Sequence, residues 1–179
     1  SNLIDKQIMN INDLSLVEEK FDAVISNFSL QMPLFSNSNE VFNSILSKLK
    51  DNSLFCFNTI TINSMKTLQN IFLEIDEKIY GGAYRRFGPF LETSKLIEDL
   101  NKNKYKDIVV SMDNLEINYS SLKKIRSDFR TFGISNFFNE KYRFKKDFLI
   151  LTNKIFTKIV DNHKYIPVEI EIATFTSWK

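Results

Sequence analysis

The chain has 179 residues, of which 43% are hydrophobic, and its 24 lysine and arginine residues nearly balance 22 aspartate and glutamate residues. This length is enough for one domain with its own core and is short for two, so we expect residues 1–179 to form a single domain. The net charge of +2, spread along the chain, argues against nucleic acid as a partner.

Cysteine, histidine and glycine are scarce, and this excludes several kinds of site. The lone Cys56 and the lone His163 rule out an internal disulfide and a multi-histidine metal site, so we expect no metal. None of the four glycines belongs to a GxGxxG or GxxxxGK loop. Because the sequence also lacks a secretory signal pattern and a long apolar run, we predict no membrane span and a cytoplasmic location.

The first third of the chain predicts a strand, a helix and a second strand. Residues 21–28 (FDAVISNF) are a short apolar run typical of a strand in a parallel sheet. Apolar residues then recur at helical spacing from Val41 to Leu49, behind an N-cap at Ser38 or Asn39. Residues 54–60 (LFCFNTI) predict the next strand, which makes a right-handed βαβ unit the default.

The rest of the chain continues the alternation of helices and strands. We expect a helix from Met65 to a stop at Gly81-Gly82, and after the loop 84–90 (YRRFGPF) a shorter helix around Leu96 and Leu100. Residues 108–119 predict a strand pair or, as we favour, one long bulged strand. Two helices follow, with apolar faces at 122–132 and 148–159, and a half-exposed strand at 168–178 closes the chain.

Several of these segments resemble class I S-adenosylmethionine-dependent methyltransferases. Residues 14–31 (LSLVEEKFDAVISNFSLQ) are similar to the family segment that runs from the loop after strand 3 through strand 4. Residues 81–90, 121–136 (SLKKIRSDFRTFGISN) and 167–178 resemble a narrower group. That group holds the BioC-type malonyl-carrier-protein O-methyltransferases and the mitochondrial complex I assembly factors with a methyltransferase fold, one of which is an arginine hydroxylase.

The resemblance implies an α/β, Rossmann-like sheet made of the strand 4-5-7-6 portion of the class I methyltransferase fold, with helices on both faces. The chain would be the C-terminal two thirds of that fold and incomplete at its N-terminal side. The glycine-rich loop of the family's first strand is missing, so we expect this chain alone to bind S-adenosylmethionine weakly or not at all. Without strand 1 beside it, the strand 21–28 would be an exposed edge, capped by residues 3–11 or open to homo-oligomer formation.

The same resemblance points to two groups of site residues. Asn10 and Ile11 stand where the loop after strand 3 faces the adenine, and Asn27 and Phe28 follow strand 4 at the cofactor edge. Tyr84, Arg85 and Arg86 form the second group, in which the two arginines, expected to be exposed, would meet a substrate carboxylate. We assign no catalytic residue, because methyl transfer to a carboxylate relies mainly on positioning.

The resemblance also implies alternatives for function. The first is an S-adenosylmethionine-dependent, BioC-like methyltransferase of the bacterial cytoplasm that acts on a carboxylate, such as one on an acyl carrier, or on a protein partner. The second is a complex I assembly factor. The third is a truncated pseudo-enzyme that serves as a non-catalytic interaction module.

Overall fold

A computed structural model describes residues 11–131 and 145–179 of the chain. A 3-10 helix at Ile11–Leu16 comes first. The strands and helices that follow it are β1 (Phe21–Asn27), α1 (Gln31–Lys48), β2 (Leu49–Ile60), α2 (Lys66–Tyr80), α3 (Thr93–Lys102), β3 (Lys106–Tyr119), α4 (Leu122–Thr131), α5 (Lys146–His163) and β4 (Ile166–Trp178). None of the helices described is long and apolar enough to cross a bilayer.

The strands form one open sheet in the order β1-β2-β4-β3, and β1 pairs with β2 in parallel. If the four strands are numbered 4 to 7 along the chain, this order reads 4-5-7-6. The predicted portion of a Rossmann-like methyltransferase sheet is therefore confirmed. The single long strand β3, favoured over a strand pair, is also confirmed.

Strand β1 lies at one edge of the described sheet, as the sequence predicts. Its register with β2 places Ile25 beside Cys56 and Asn27 beside Asn58. The Ile25 side chain is 74% exposed, so this edge presents apolar surface. Self-association through the edge stays a prediction, and its capping by residues 3–11 concerns residues that lie almost wholly outside the described ones.

Two compact units make up the described chain. The first contains residues 11–59, 91–112 and 173–179, and it includes α1 and α3. Its core centres on aromatic rings, with the Phe57 and Phe175 rings stacked at 4.7 Å and Phe42 packed against Phe55 and Phe57. The Tyr105 hydroxyl donates to the Phe42 carbonyl at 2.9 Å, which satisfies this buried polar group.

The second unit contains residues 60–90, 113–131 and 145–172, and it includes α2, α4 and α5. Met65, Leu68, Ile125, Phe129 and Phe156 are among its buried core residues. Helix α2 ends at Gly81, whose φ of 73° is the left-handed conformation that glycine adopts without strain. The predicted glycine stop is therefore confirmed, whereas the prediction of a single domain over residues 1–179 stays a prediction.

Helix α1 begins earlier than the sequence predicts. It starts at Gln31, and Pro33 lies in its first turn, where a missing N–H costs nothing. The extended backbone of Asn37 interrupts the helix. There the Asn37 Oδ1 accepts from the backbone N–H of Glu40 at 3.2 Å, and the Asn37 Nδ2 donates to the Glu40 carboxylate at 2.9 Å. Asn37, and not Ser38 or Asn39, thus caps the second part of α1.

The closing strand β4 is less exposed than predicted. It lies between β2 and β3, so its backbone is paired on both sides. Val168 is buried as expected, but farther along the buried side chains are Ala173, Phe175 and Ser177. The alternation of buried side chains changes phase between Ile170 and Ala173, and an alternation read from hydrophobicity alone misses this change.

Candidate functional site

The carboxyl ends of β1 and β2 bring polar side chains together at one edge of the sheet. The Asn58 Nδ2 donates to the Asn27 Oδ1 at 2.8 Å, and the backbone N–H of Phe28 donates to the Asn58 Oδ1 at 2.7 Å. Sequence reasoning identified Asn27 and Phe28 and missed Asn58. The parallel register that sets Asn58 beside Asn27 was the signal that could have found it. We call these three residues the carboxamide cluster.

Phe28 adopts an uncommon backbone conformation in this cluster. Its φ of 55° lies in the left-handed region, which a bulky aromatic residue rarely enters. The bond from its N–H to Asn58 holds that conformation, and its ring is 40% exposed. Backbone strain of this kind is common at functional sites, so the conformation of Phe28 is consistent with a role in ligand binding.

The chain that follows Phe28 is tied back to the two strands. The hydroxyls of Ser26 and Ser29 lie 2.7 Å apart in a hydrogen bond, and the Thr59 hydroxyl donates to the Gln31 side-chain carbonyl. These contacts fix the turn between β1 and α1. The carboxamide cluster is thus built on strand ends and a braced turn.

The other predicted cofactor residues are less informative. Ile11 lies in the 3-10 helix and packs, half-buried, against the core of the first unit. Its side chain therefore stabilises the fold, and its contact with a cofactor stays a prediction. Asn10 lies outside the described residues.

Arg86 is not the exposed residue that the sequence predicts. Its Nε donates to the Asp76 Oδ2 at 2.8 Å, and a second guanidinium nitrogen donates to the Asp76 Oδ1. The two side chains are only 10% and 1% exposed. The guanidinium also lies 4.1 Å from the centre of the Phe148 ring. The ion pair with Asp76 and the aromatic contact therefore occupy Arg86 within the fold.

Tyr84 and Arg85 remain at the surface of the second unit. The Tyr84 ring lies 5.1 Å from that of Tyr80, in an edge-to-face arrangement. Phe87, by contrast, is partly buried against the core of this unit, with its ring 5.9 Å from that of Phe129. Recognition of a carboxylate by this loop stays a prediction, now for Arg85.

Two glutamates of β4, Glu169 and Glu171, form a second polar cluster, and both are half-buried. Glu171 accepts from the Thr61 hydroxyl and from Asn63 Nδ2 at 2.8 Å, and these hydrogen bonds hold the pKa of Glu171 below its usual value. Glu169 accepts from the Thr67 hydroxyl, in the first turn of α2. Glu169 thus stabilises the start of α2, whose N-cap Met65 offers no side-chain acceptor, and Glu171 holds the turn before it.

The cysteine, the histidine and the two arginines of α4 lie outside the two polar clusters. Cys56 is half-buried in β2, with the Thr176 hydroxyl 3.8 Å from its sulfur. His163 is exposed in the last turn of α5, and Arg126 and Arg130 lie on the exposed face of α4. Within 11–131 and 145–179, no three His, Cys, Asp or Glu side chains are arranged to hold a metal ion.

Comparison with known proteins gives one curated relative. The chain is 24% identical over 180 aligned residues to the mitochondrial arginine-hydroxylase NDUFAF5 of Dictyostelium discoideum, and the alignment covers 99% of this chain and 40% of that protein. The chain thus spans less than half the length of this relative. None of the known protein-family models matches the chain.

Solved structures that resemble the chain include S-adenosylmethionine-dependent methyltransferases. One from Archaeoglobus fulgidus is 13% identical, with 94% of this chain and 64% of the other covered and a TM-score of 0.44. The YcgJ protein of Bacillus subtilis is also 13% identical, with 90% and 64% covered and a TM-score of 0.49. A Haemonchus contortus phosphoethanolamine N-methyltransferase, solved with S-adenosylmethionine, is 14% identical, with 93% and 36% covered and a TM-score of 0.43.

The strand order within the chain itself is the firmest basis for assigning the fold. An open sheet in the order β1-β2-β4-β3 has the same topology as strands 4, 5, 7 and 6 of a Rossmann-like methyltransferase. The resembling segments 14–31 and 167–178 include β1 and β4, the first and the last of these strands along the chain. The chain therefore has the fold of strands 4 to 7 of a class I S-adenosylmethionine-dependent methyltransferase.

Proposed function

We propose that the chain belongs to an S-adenosylmethionine-dependent methyltransferase and that the carboxamide cluster faces the adenosyl group of the cofactor. The observation that carries this proposal is the meeting of Asn27, Phe28 and Asn58 at the carboxyl ends of two parallel strands. In open α/β sheets, ligands bind outside the carboxyl ends of the strands. The resemblance of residues 14–31 to the family points to the same edge.

The residues present at this edge fit one side of a nucleoside. The exposed Phe28 ring offers a face for stacking on a base, and the Asn27 Nδ2 makes no hydrogen bond with the described residues. When bound, S-adenosylmethionine supplies an electrophilic methyl group. Because the sequence has no glycine-rich loop for the rest of the cofactor, this edge alone would bind it weakly.

The methyl acceptor that fits best is a carboxylate, on an acyl carrier or on a protein partner. Arg85 is exposed, whereas its neighbour Arg86 forms an ion pair with Asp76. The ion pair fixes the loop at Arg86 and leaves the Arg85 side chain at the surface. A guanidinium is suited to bidentate contact with a carboxylate. The role of this chain's residues would be to position the acceptor and exclude water.

A second candidate is an assembly factor for respiratory complex I that modifies or binds a subunit. Its support is the similarity to an arginine hydroxylase over 99% of this chain. That relative is mitochondrial by name, which offers an alternative to a bacterial cytoplasmic location. A non-catalytic interaction module, open to self-association through β1, is the third candidate.

Calorimetry with S-adenosylmethionine and S-adenosylhomocysteine tests the cofactor proposal on this chain. We expect a dissociation constant weaker than about 1 μM, which corresponds to a binding free energy less favourable than about −8 kcal/mol. Replacing Asn27 with Ala should weaken binding, whereas Asn118→Ala, an exposed asparagine in β3, should not. No heat at millimolar ligand would remove cofactor binding by this edge alone, leave the fold assignment standing and favour a fragment or the interaction module.

Replacing Arg85 with Ala tests the acceptor proposal in the complete protein. Because Arg85 is exposed, the variant should fold normally and lose turnover on a carboxylate acceptor. Arg86 is unsuitable for this test, since its removal would strand the buried Asp76. Unchanged turnover in Arg85→Ala would remove the role of Arg85.

A further inference from the structure

We infer that Asn58 is a positioning residue that fixes the orientation of the Asn27 amide, so that the N–H donors of Asn27 face a ligand that offers an acceptor atom there. The inference rests on the proposed function for the identity of the ligand. The internal geometry of the carboxamide cluster carries it independently.

The polarity follows from a backbone group that cannot reverse. The N–H of Phe28 can only donate, so the Asn58 atom 2.7 Å away must be the carbonyl oxygen. The amide nitrogen of Asn58 is then the atom 2.8 Å from Asn27, and as a donor it requires the Asn27 oxygen. The usual ambiguity between the oxygen and nitrogen of an asparagine amide is therefore resolved at both residues.

The consequence concerns what Asn27 can offer to a ligand. Its oxygen is bonded to Asn58, while its Nδ2 makes no hydrogen bond with the described residues. A ligand group that meets Asn27 through this nitrogen must accept, as a ring nitrogen or a ribose oxygen of a nucleoside does. The exocyclic amine of an adenine, which only donates, would not be recognised by it.

The bond from the Phe28 N–H to Asn58 also explains why Phe28 stays in its left-handed conformation. Asn58 accepts from the Phe28 N–H and so holds the turn that presents the aromatic ring beside Asn27. One residue of β2 thereby fixes both the donor and the stacking surface before any ligand arrives. Such preorganisation lowers the entropic cost of binding.

Two substitutions separate the two bonds of Asn58. In Asn58→Asp, the carboxylate still accepts from Phe28 but cannot donate, so Asn27 must turn its Nδ2 inward and its oxygen outward. In Asn58→Ala, both bonds are lost. Asn118→Asp, at an exposed position of β3, is the control for the added charge.

Hydrogen exchange measured by NMR on the full chain tests the inference without a ligand. We expect the Phe28 amide to exchange about tenfold faster in Asn58→Ala and to stay protected in Asn58→Asp. The side-chain amide protons of Asn27 should exchange freely in the wild type and become protected in Asn58→Asp alone. Unchanged Phe28 exchange in Asn58→Ala, or protected Asn27 side-chain protons in the wild type, would overturn the inference.

Binding of S-adenosylhomocysteine supplies the ligand-dependent arm. Asn58→Asp should weaken its affinity about tenfold, and Asn118→Asp should leave it unchanged. Equal binding by the wild type and Asn58→Asp would contradict the donor polarity. If the wild type shows no binding while the exchange pattern holds, the proposed function fails and the positioning role of Asn58 stands.

Discussion

Asn27 of the carboxamide cluster and Arg86 of the loop 84–90 were both predicted to meet a ligand, and the fold engages their polar groups in opposite ways. In the carboxamide cluster, Asn58 donates to the oxygen of Asn27 and leaves the Asn27 nitrogen without a partner among the described residues. In the loop, Asp76 engages Arg86 with two charge-assisted bonds inside the second unit. The difference shows that a polar residue is available to a ligand only where its internal partners leave an atom unused.

The largest effect should come from breaking the Arg86–Asp76 pair. Asp76→Ala leaves a nearly buried guanidinium unpaired, so we expect the free energy of unfolding to fall by about 3–5 kcal/mol. Urea denaturation measures this change. A loss below about 1 kcal/mol would mean that water solvates the Arg86 guanidinium and that the ion pair contributes little to stability.

The carboxamide cluster should contribute less to stability than the buried pair. Asn58→Ala removes two hydrogen bonds at the exposed edge, and we expect a loss of about 1–2 kcal/mol in the same denaturation experiment. Asn118→Ala, which is exposed, should change the unfolding free energy by less than about 0.5 kcal/mol. If Asn58→Ala lost as much unfolding free energy as Asp76→Ala, the carboxamide cluster would serve the stability of the fold as the buried ion pair does.

The pH dependence of stability tests Glu171, a carboxylate whose hydrogen bonds lie within the fold. Hydrogen bonds from Thr61 and Asn63 lower the pKa of its folded form below the usual value of 4.5. The folded state thus gains stability above the usual pKa and loses it as the pH falls through the lowered one. In Glu171→Gln, the decline of unfolding free energy below about pH 5 should be shallower than in the wild type. Parallel curves for the two proteins would contradict this role for Glu171.

The smallest effect should come from an exposed ion pair. The Lys50 and Asp22 side chains lie 2.8 Å apart but are 50% and 86% exposed. Asp22→Ala should therefore cost no more than about 1 kcal/mol and less at high salt, because solvent screens this pair. A loss comparable to that of Asp76→Ala would show that burial does not separate the two pairs.

The order of the elements could be predicted because each has a strong local signal. The apolar run of 21–28, the helical spacing before Gly81-Gly82 and residues 122–131 each fall in the expected part of the fold. The start of α1 was missed because Pro33 suggests a loop, although proline is tolerated in a first helical turn. The face of β4 was missed because its buried residues change phase along the strand.

The site was predictable only in part, since its partners are distant in sequence. Asn27 and Phe28 were found through a local motif, whereas Asn58 reaches them through the register of two parallel strands. Asp76 lies on α2, ten residues before Arg86, and no spacing rule pairs a helix residue with a loop residue in this way. Burial and pairing of this kind depend on tertiary packing, so the exposure of Arg86 was predicted wrongly.

An NMR titration of the full chain with S-adenosylhomocysteine tests the central claim most directly. We predict that the backbone amides of Asn27, Phe28 and Asn58 shift first and together, with a weak dissociation constant, and that Asn58→Asp suppresses these shifts. Absence of shifts at millimolar ligand, or shifts confined to residues outside the carboxamide cluster, would contradict the claim that this edge faces the adenosyl group.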